Sequence, residues 1–138
     1  MELLLDQLEN LAKELKDQNK TIALCHGCFV NLHEGHHKLF SEAKKYADIV
    51  MVGVESGEYL LKKKGSGEFL NQQERIRNIE NTNLVDIVFA LPAGENSMYK
   101  EIYKKIHPNF LVTAVDEVLD KKKKDAESFG IKVISTEK

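Results

Sequence analysis

The sequence predicts an α/β fold in which a five-stranded parallel sheet carries helices on both faces. Short apolar segments alternate along the chain with segments whose apolar residues recur at helical spacing. Strands that alternate with helices in this way are joined by crossover connections, so neighbouring strands run parallel. The strand segments are apolar at nearly every position, which indicates that both faces of the sheet are covered. The predicted architecture is therefore Rossmann-like.

The first half of the chain predicts a helix followed by a β-α-β unit. The helix covers residues 2 to about 18, and its apolar stripe consists of Leu4, Leu8, Leu11, Ala12 and Leu15. Residues 20–25 are the first strand, residues 34–47 the next helix and residues 49–54 the second strand. Residues 55–70 contain a Lys-Lys-Lys-Gly-Ser-Gly segment without an apolar period, so we expect an exposed, mobile loop there.

The second half predicts three more strands and three more helices. Asn71, followed three residues later by Glu74, predicts an N-cap with a capping-box partner and a helix to about Asn81. Gly130 is placed to end the last helix. The other predicted elements are helices over residues 97–107 and 117–129 and strands over residues 85–91, 110–115 and 131–134.

Composition and charge limit the kinds of function. The chain has 138 residues, 42% hydrophobic and 30% charged, so one globular domain is expected over residues 1–138, with residues 1–18 as its leading helix. A net charge of −2 provides no basic excess for nucleic acid. No apolar run approaches the roughly 20 residues that span a bilayer. The two cysteines are too few for a disulfide framework, which is typical of a reducing compartment. We therefore expect a cytoplasmic protein, and no membrane partner.

One segment, CHGCFVNLHEGHH from Cys25 to His37, holds both cysteines and four of the five histidines. It follows the first strand, where open α/β sheets bind ligands. One interpretation is a zinc site with Cys25, Cys28, His33 and one further histidine as ligands. Structural zinc sites usually separate their ligand pairs more widely, and Cys25 lies at the end of an apolar strand, where a cysteine packs as a small hydrophobe.

Two further interpretations of this segment leave part of it unexplained. A redox pair of Cys25 and Cys28 would resemble a thioredoxin-type site, but there the helix should begin at once, whereas here it follows about seven residues later. The histidines could also belong to an ordinary loop without chemistry.

A phosphate site uses more of the segment. Gly27 follows the strand and permits close backbone approach, and the start of the next helix favours an anion. His33 and His36 flank Gly35 at this helix start, where both imidazoles can donate to the same anion. The sequence contains neither Gly-x-x-x-x-Gly-Lys-Ser/Thr nor Gly-x-Gly-x-x-Gly, which argues against a P-loop and a dinucleotide fingerprint.

The segment from Gly27 to His36 resembles the signature Gly-x-Phe-Asp-x-x-His-x-Gly-His of the cytidylyltransferase-like nucleotidyltransferases. With its leading helix, the chain is most similar to the adenylyltransferase domain of bifunctional heptose-phosphate kinase/adenylyltransferases. Further similar segments follow in order over nearly the whole chain, and these are Asp48 to Val54, Lys64 to Gly67, Gln73 to Arg75, Val85 to Val88 and His107 to Val112.

The resemblance implies transfer of a nucleoside monophosphate from ATP or CTP to a small phosphorylated metabolite, a sugar phosphate being favoured, with release of pyrophosphate. His33, His36 and Lys64 would be the catalytic residues. The residues expected to bind nucleotide or phosphate are Gly27, Cys28, Phe29, Gly35, Arg75 and Asp116. Mg²⁺ would arrive with the nucleotide, and no protein metal ligand is expected. For Lys64 the alternative is one solvated lysine among three, and for Arg75 a surface ion pair.

Several positions depart from the family pattern. Val30 replaces the usual aspartate, and Glu68 stands near a position where the heptose enzymes carry arginine. Asp116 is kept after strand four, but Ser135-Thr136 is either a remnant of the family's Ser-Thr-Thr segment at the start of a terminal helix or that segment is missing. We therefore keep a catalytically impaired nucleotide-binding module as the alternative to the enzyme. A homodimer is expected from the family and from the leucine-rich first helix, unless that stripe packs on its own sheet.

Overall fold

A parallel sheet forms the centre of the computed structural model, which describes residues 5–27, 29, 32, 34–56, 71–91, 98–114 and 119–136. Its strands are β1 (Ile22–Gly27), β2 (Ile49–Val54), β3 (Ile87–Ala90), β4 (Phe110–Ala114) and β5 (Lys132–Thr136). They lie side by side in the order β3-β2-β1-β4-β5, and every neighbouring pair is parallel. The predicted parallel sheet is confirmed.

Helices cover both faces of this sheet, as predicted. Within the described ranges they are α1 (Leu5–Asp17), α2 (Glu34–Tyr46), α3 (Gln72–Glu80), α4 (Met98–Ile106) and α5 (Leu119–Glu127). Residues of α2 and α3 pack on one face, and residues of α1, α4 and α5 pack on the other. No helix in the part of the chain that the structure describes is long and apolar enough to cross a membrane.

The side chains of β1 alternate between the two faces. Ala23 and Cys25 belong to the apolar cluster that includes α2 and α3, whereas Ile22 and Leu24 belong to the cluster that includes α1, α4 and α5. All four are fully buried. The placement of Cys25 in the strand core is as predicted. It speaks against zinc ligation by this thiol, because the side chain lies among apolar neighbours.

The apolar stripe of α1 is used within the chain. Leu8 and Ala12 are buried in the same cluster as Ile102 and Ile106 of α4, and Leu15 packs against its edge. Leu4 lies outside the described residues. Leu8, Ala12 and Leu15 thus pack on the protein's own helices and sheet, which was the alternative to a role in dimerisation.

Hydrogen bonds at the amino ends of the strands fix their mutual positions. Oδ2 of Asp86 accepts from the backbone N–H of Val50 at 2.8 Å and from Nζ of Lys44 at 2.8 Å. Oδ2 of Asp48 accepts from the N–H of Thr21 at 3.0 Å and from its hydroxyl at 3.1 Å. These bonds tie the entry of β2 to the segments that precede β1 and β3.

A glycine in β2 lies where its neighbours leave no room for a side chain. Gly53 is in register with His26 of β1 and Phe89 of β3. A Cβ at this position would come within 2.9 Å of Cζ of Phe89 and 3.2 Å of Cδ2 of Leu91. The ring of Phe89 therefore occupies the space that a side chain at position 53 would need.

The ends of two helices form as predicted. The N–H of Glu74 donates to Oδ1 of Asn71 at 2.8 Å, so Asn71 is the N-cap of α3, and Glu74 is its partner through a bond of 3.0 Å from the side-chain Nδ2 of Asn71 to the Glu74 carboxylate. Gly130 follows α5 with φ of +78°, a left-handed conformation that glycine adopts without strain.

One expectation about the chain was wrong. Glu55 and Ser56, expected to begin an exposed loop, are buried. The N–H of Glu55 donates to the carbonyl of Gly27 at 2.9 Å and extends the pairing of β2 with β1, and the Tyr99 hydroxyl of α4 donates to the Glu55 carboxylate. Ser135 and Thr136 lie in β5, paired with Thr113 and Ala114 of β4. They are therefore strand residues, and the two alternatives for the family's Ser-Thr-Thr segment stay predictions.

The strand order places a switch point beside β1. From β1 the chain runs outward through β2 and β3, and it then returns to β4 on the other side of β1. In open α/β sheets, ligands bind at the carboxyl ends of the strands at such a point. The segment that follows Gly27 begins there.

Candidate functional site

The predicted site is built on the carboxyl end of β1 and the start of α2. Gly27 is the last residue of β1, and Phe29 follows it with φ of +50°, in the left-handed region. The ring of Phe29 is buried and lies 3.4 Å from where a Cβ on Gly27 would be. A Cβ at position 27 would therefore be in van der Waals contact with this ring.

Phe29 also connects the loop to the next helix. Its ring packs edge-on against the imidazole of His36, with centroids 5.2 Å apart, and against Phe40 at 5.6 Å. His36 is half-buried in the first turn of α2. This contact orients the imidazole at the end of the helix where the macrodipole is positive and favours an anion.

The structure brings four predicted site residues together in this one segment, and these are Gly27, Phe29, Gly35 and His36. Gly35, beside His36 in the first turn of α2, gives the backbone close access from outside. The other predicted members Cys28, His33, Lys64 and Asp116 lie outside the described residues, as do the departures Val30 and Glu68. Their roles stay predictions.

Arg75 lies on α3, which covers the same face of the sheet as α2. Its side chain is fully buried. The alternative of a surface ion pair is therefore wrong. The start of α3 is held at the strand ends by Gln72, whose Nε2 donates to the carbonyls of Val54 at 2.8 Å and Leu91 at 3.1 Å. A fully buried guanidinium on this helix fits the predicted role in ordering the nucleotide pocket or in binding phosphate.

A second group of polar side chains lies at the carboxyl end of the sheet, and the sequence analysis missed it. We call it the tyrosine cluster, and it consists of His26, Glu55, Tyr99 and Tyr103. Nε2 of His26 is 2.7 Å from the hydroxyl of Tyr103, and its ring stacks on Tyr99 at a centroid distance of 4.3 Å. The Tyr99 hydroxyl donates to the Glu55 carboxylate. This cluster occupies the α4 side of the sheet, opposite α2.

Burial controls the chemistry of the tyrosine cluster. His26 is 9% exposed and Glu55 is 5% exposed. Burial raises the pKa of Tyr103, and the negative charges of Asp125 and Glu55 raise it further. Its phenol therefore stays protonated at neutral pH and can donate a hydrogen bond. The cluster joins β1, β2 and α4 through polar contacts within an otherwise apolar layer.

Two signals in the sequence could have indicated this cluster. Tyr99 and Tyr103 are four residues apart on one predicted helix, which places both rings on the same helical face. His26 is two residues after Leu24 in the same strand, so it shares the face that Leu24 buries. The contact across to Glu55 had no local signal.

The parallel sheet and the loop after β1 are typical of the nucleotidyltransferase-like α/β proteins. In this class a segment with glycine and histidine follows the central strand. The family model described as cytidylyltransferase-like matches residues 24–136. The chain belongs to this family, which confirms the prediction made from the segment Gly27 to His36.

Curated relatives confirm the resemblance to bifunctional proteins. The chain is 31% identical over 108 residues to the bifunctional protein HldE of Desulfatibacillum aliphaticivorans, covering 78% of this chain and 22% of the relative. It is 33% identical over 112 residues to the bifunctional protein HldE of Aliarcobacter butzleri, covering 80% and 23%. The match thus spans less than a quarter of the length of these relatives.

Solved structures share the fold. A lipopolysaccharide core biosynthesis protein from Thermoplasma volcanium superposes with a TM-score of 0.68 at 19% identity, covering 86% of this chain and 95% of that one. Pantoate-beta-alanine ligase from Francisella tularensis, solved with a bound ATP compound and beta-alanine, gives a TM-score of 0.71 at 17% identity, covering 96% and 64%. At these identities the likeness concerns the fold alone.

Proposed function

We propose that this protein is a nucleotidyltransferase that transfers a nucleoside monophosphate from ATP or CTP to a small phosphorylated metabolite, with a sugar phosphate favoured. A phosphate oxygen of the acceptor attacks the α-phosphorus of the triphosphate and forms a new O–P bond. The bond from the α-phosphorus to the bridging oxygen breaks, and pyrophosphate leaves with the electron pair.

The observation that carries this proposal is the position of the segment from Gly27 to His36. It connects the carboxyl end of the central strand β1 to the positive end of α2, directly at the switch point of the sheet. A triphosphate needs such a place, because backbone N–H groups, a helix dipole and imidazole donors can act on it together. Family membership supports the same reaction class.

In this proposal the protein acts by positioning and by stabilising charge. His33 and His36 donate to the phosphates as negative charge develops, and losing one donor of this kind typically costs about 3–4 kcal/mol of transition-state stabilisation. Gly27, Cys28, Phe29 and Gly35 offer backbone contacts. Lys64, Arg75 and Asp116 complete the binding of nucleotide and phosphate. No nucleophile of the protein is needed, since the acceptor phosphate is already an anion at neutral pH.

Mg²⁺ belongs to the proposal as a companion of the nucleotide, and when bound it neutralises part of the phosphate charge. In the described ranges no three His, Cys, Asp or Glu side chains are grouped to hold a metal ion, and we assign it no protein ligand. A cytoplasmic homodimer that acts on small molecules remains our prediction for the whole protein.

The test is pyrophosphate release from ATP and from CTP across a panel of sugar and alcohol phosphates. His36→Ala should lower kcat/KM about 100-fold or more, because one donor to the phosphates is lost. His37→Ala is the matched control, since His37 is the next residue on α2 and is exposed. It should leave turnover unchanged. His33→Ala should lower kcat/KM to a similar extent as His36→Ala.

The alternative, a module that binds nucleotide without turning it over, rests on Val30 and Glu68 and is separated by the same experiment. Stabilisation of the protein by ATP or CTP, measured as a rise in melting temperature, reports binding whether or not turnover occurs. Nucleotide binding with no pyrophosphate from any acceptor would favour the module and contradict the enzyme.

A further inference from the structure

Tyr99 contacts two residues next to Gly27, where the segment from Gly27 to His36, which we call the phosphate loop, begins. One is His26, which precedes Gly27 in β1, and its imidazole stacks on the Tyr99 ring at a centroid distance of 4.3 Å with 22° between the planes. The other is Glu55, whose N–H donates to the carbonyl of Gly27 at 2.9 Å and whose carboxylate accepts from the Tyr99 hydroxyl. One side chain of α4 thus reaches Gly27 by two routes, through its ring and through its hydroxyl.

The carboxyl end of β1 is the part of this strand that gains most from such contacts. β1 pairs with β4 at Ala23 and Leu24, whereas its pairing with β2 continues to Gly27, in register with Val54. The last residues of β1 therefore extend beyond the described pairing with β4. Backbone at the end of a ladder opens more easily than backbone in its middle, so side-chain contacts contribute more to its conformation.

The tyrosine cluster supports this strand end from the face opposite α2. His26 shares the face of β1 that Leu24 buries, and this face is covered by α4. Nε2 of His26 also lies 2.7 Å from the hydroxyl of Tyr103, which is fully buried. The phosphate loop thus starts between two helices, with the first turn of α2 on one face of the sheet and the aromatic side chains of α4 on the other.

The orientation of the strand end matters for the proposed chemistry, because the last peptide groups of β1 set the direction in which the phosphate loop leaves the sheet. Donors stabilise developing charge best when they are fixed in place before the reaction, and a misplacement of about 1 Å can cost a factor of about 100 in rate. Gly27 has no side chain of its own that could anchor this point. Its position depends on its neighbours His26 and Glu55, and both contact Tyr99.

We propose that Tyr99 is a positioning residue for the transfer reaction, which holds His26 and Glu55 so that the strand end at Gly27 presents the phosphate loop to the triphosphate in one fixed orientation. The inference rests on the proposed function and extends the machinery of that site to α4, a helix outside the phosphate loop. Tyr99 itself touches neither substrate, so it is not a catalytic residue. Its effect on the reaction passes through the backbone of β1.

The experiment compares Tyr99→Phe with Ile106→Val, since each variant removes one small group from α4. Phenylalanine keeps the ring on His26 but loses the hydroxyl that donates to Glu55. Ile106 is fully buried about two helical turns further along α4, so its truncation lowers stability at a distance from the strand end. Pyrophosphate release is measured below the melting temperatures of both variants.

Tyr99→Phe should lower kcat about fivefold and keep KM for the nucleotide within about twofold, because lost geometry is felt most in the transition state. Tyr99→Leu removes both the hydroxyl and the stacked ring and should lower kcat about 30-fold. Ile106→Val should keep the wild-type kcat. A merely structural role would lower the melting temperature without changing kcat of the folded protein. Unchanged kcat in the Tyr99 variants, a change in KM alone, or an equal fall in Ile106→Val overturns the proposal.

Hydrogen exchange of the Glu55 amide reports the route through the hydroxyl directly, because this N–H donates to the carbonyl of Gly27. The pair Val-Glu occurs once in the sequence, at residues 54–55, so carbonyl-labelled valine with nitrogen-labelled glutamate selects this amide in NMR spectra. Tyr99→Phe should accelerate its exchange about fivefold relative to Ile106→Val, since the contact that restrains Glu55 is lost. Equal exchange rates in the two variants overturn the proposal.

Failure of the proposed function is recognised separately. If the wild-type protein releases no pyrophosphate with any acceptor, the transfer reaction is disproved, and the positioning is tested on the bound nucleotide. The pair His-Gly also occurs once, at residues 26–27, so the same labelling scheme selects the Gly27 amide. Addition of ATP or CTP should shift this signal equally in wild type and Ile106→Val, and differently in Tyr99→Phe. No shift with either nucleotide, or the same shift in all three proteins, overturns the inference.

Discussion

The ring of Phe29 meets the imidazole of His36 edge-on, with the two centroids 5.2 Å apart, and the same ring also packs on Phe40. Phe29 adopts a positive φ of 50° while its side chain is buried. One aromatic ring therefore connects the turn after β1 to the proposed phosphate donor on α2. The geometry of that donor depends on how this ring is packed.

Replacing Phe29 by leucine should separate an effect on stability from one on activity. The smaller side chain should lower the free energy of unfolding by about 1–3 kcal/mol, measured by urea unfolding. The lost edge contact should also let His36 move and reduce kcat/KM for pyrophosphate release by about tenfold or more. Phe40→Leu is the control, because Phe40 is buried in the same cluster. Equal loss of activity in both variants at equal stability would contradict the role of Phe29.

Arg75→Lys tests the buried guanidinium. Lysine keeps the charge but cannot form the planar, forked hydrogen bonds of arginine, so we expect kcat/KM for the nucleotide to fall about tenfold. Arg77→Lys on the exposed side of α3 should behave like wild type. Steady-state kinetics at varied nucleotide concentration measure kcat/KM for both variants. A lower melting temperature for Arg75→Lys with unchanged kcat and unchanged KM for the nucleotide would show that Arg75 has a structural role only.

Gly53→Ala should be strongly destabilising, because its Cβ would come within 2.9 Å of Cζ in the buried ring of Phe89. We expect a loss of about 1–3 kcal/mol in urea unfolding, the usual cost of overpacking. Phe89→Leu alone should also destabilise the protein by leaving space. The double variant should lose less stability than the sum of the losses in the two single variants. The smaller side chain at position 89 makes room for the Cβ at position 53, which in turn fills part of the space that the ring leaves. Strict additivity would show that the ring does not block position 53.

The Asp48 carboxylate should stabilise the fold at neutral pH, and this contribution to the free energy of unfolding should be lost in acid. Hydrogen bonds from the N–H and hydroxyl of Thr21 hold the pKa of this carboxyl below its ordinary value of 3.8, aided by the charges of Lys20 and Lys44. A pKa lower in the folded than in the unfolded chain stabilises the fold above the unfolded value, and this is lost as pH falls through the folded value.

The urea midpoint should therefore fall less steeply for Asp48→Asn than for wild type between about pH 5 and about pH 2. Asp17→Asn, an exposed change at the end of α1, is the control and should keep the wild-type slope. Parallel curves for wild type and Asp48→Asn would mean that the Thr21 bonds do not survive in solution.

Local chemistry explains which parts of the fold could be predicted. The second strand, residues 49–54, was correct at both ends, because an apolar run is bounded there by Asp48 and a polar segment. The N-cap at Asn71 and its partner Glu74 were also correct, since their contact depends on residues three positions apart. Strand ends elsewhere were misplaced by a few residues, as in β5, where pairing with β4 extends the strand to Thr136.

The tyrosine cluster could not be predicted in full, because it depends on contacts between distant segments. His26 and Tyr103 are 77 positions apart, and Tyr99 and Glu55 are 44 apart. A glutamate after an apolar strand ordinarily begins a solvated loop, whereas here Tyr99 of α4 contacts the Glu55 carboxylate and Glu55 is buried. The proposed site was easier to predict, because its residues between Gly27 and His36 lie in one short segment that matches a family pattern.

The strand order also affects how the protein can fold during synthesis. β1 pairs first with β2, which follows it closely, but its other edge is completed by β4, whose neighbour Asn109 bonds to Ile22 across 87 positions. Contacts between such distant segments form late, because a long loop must be closed first. Until β4 has left the ribosome and docked, only the β1 side of the crevice beside Gly27 is formed. The nascent chain should therefore acquire nucleotide affinity only after β4 has been made and has left the ribosome, and ligand present during synthesis should stabilise the last steps of folding rather than the first.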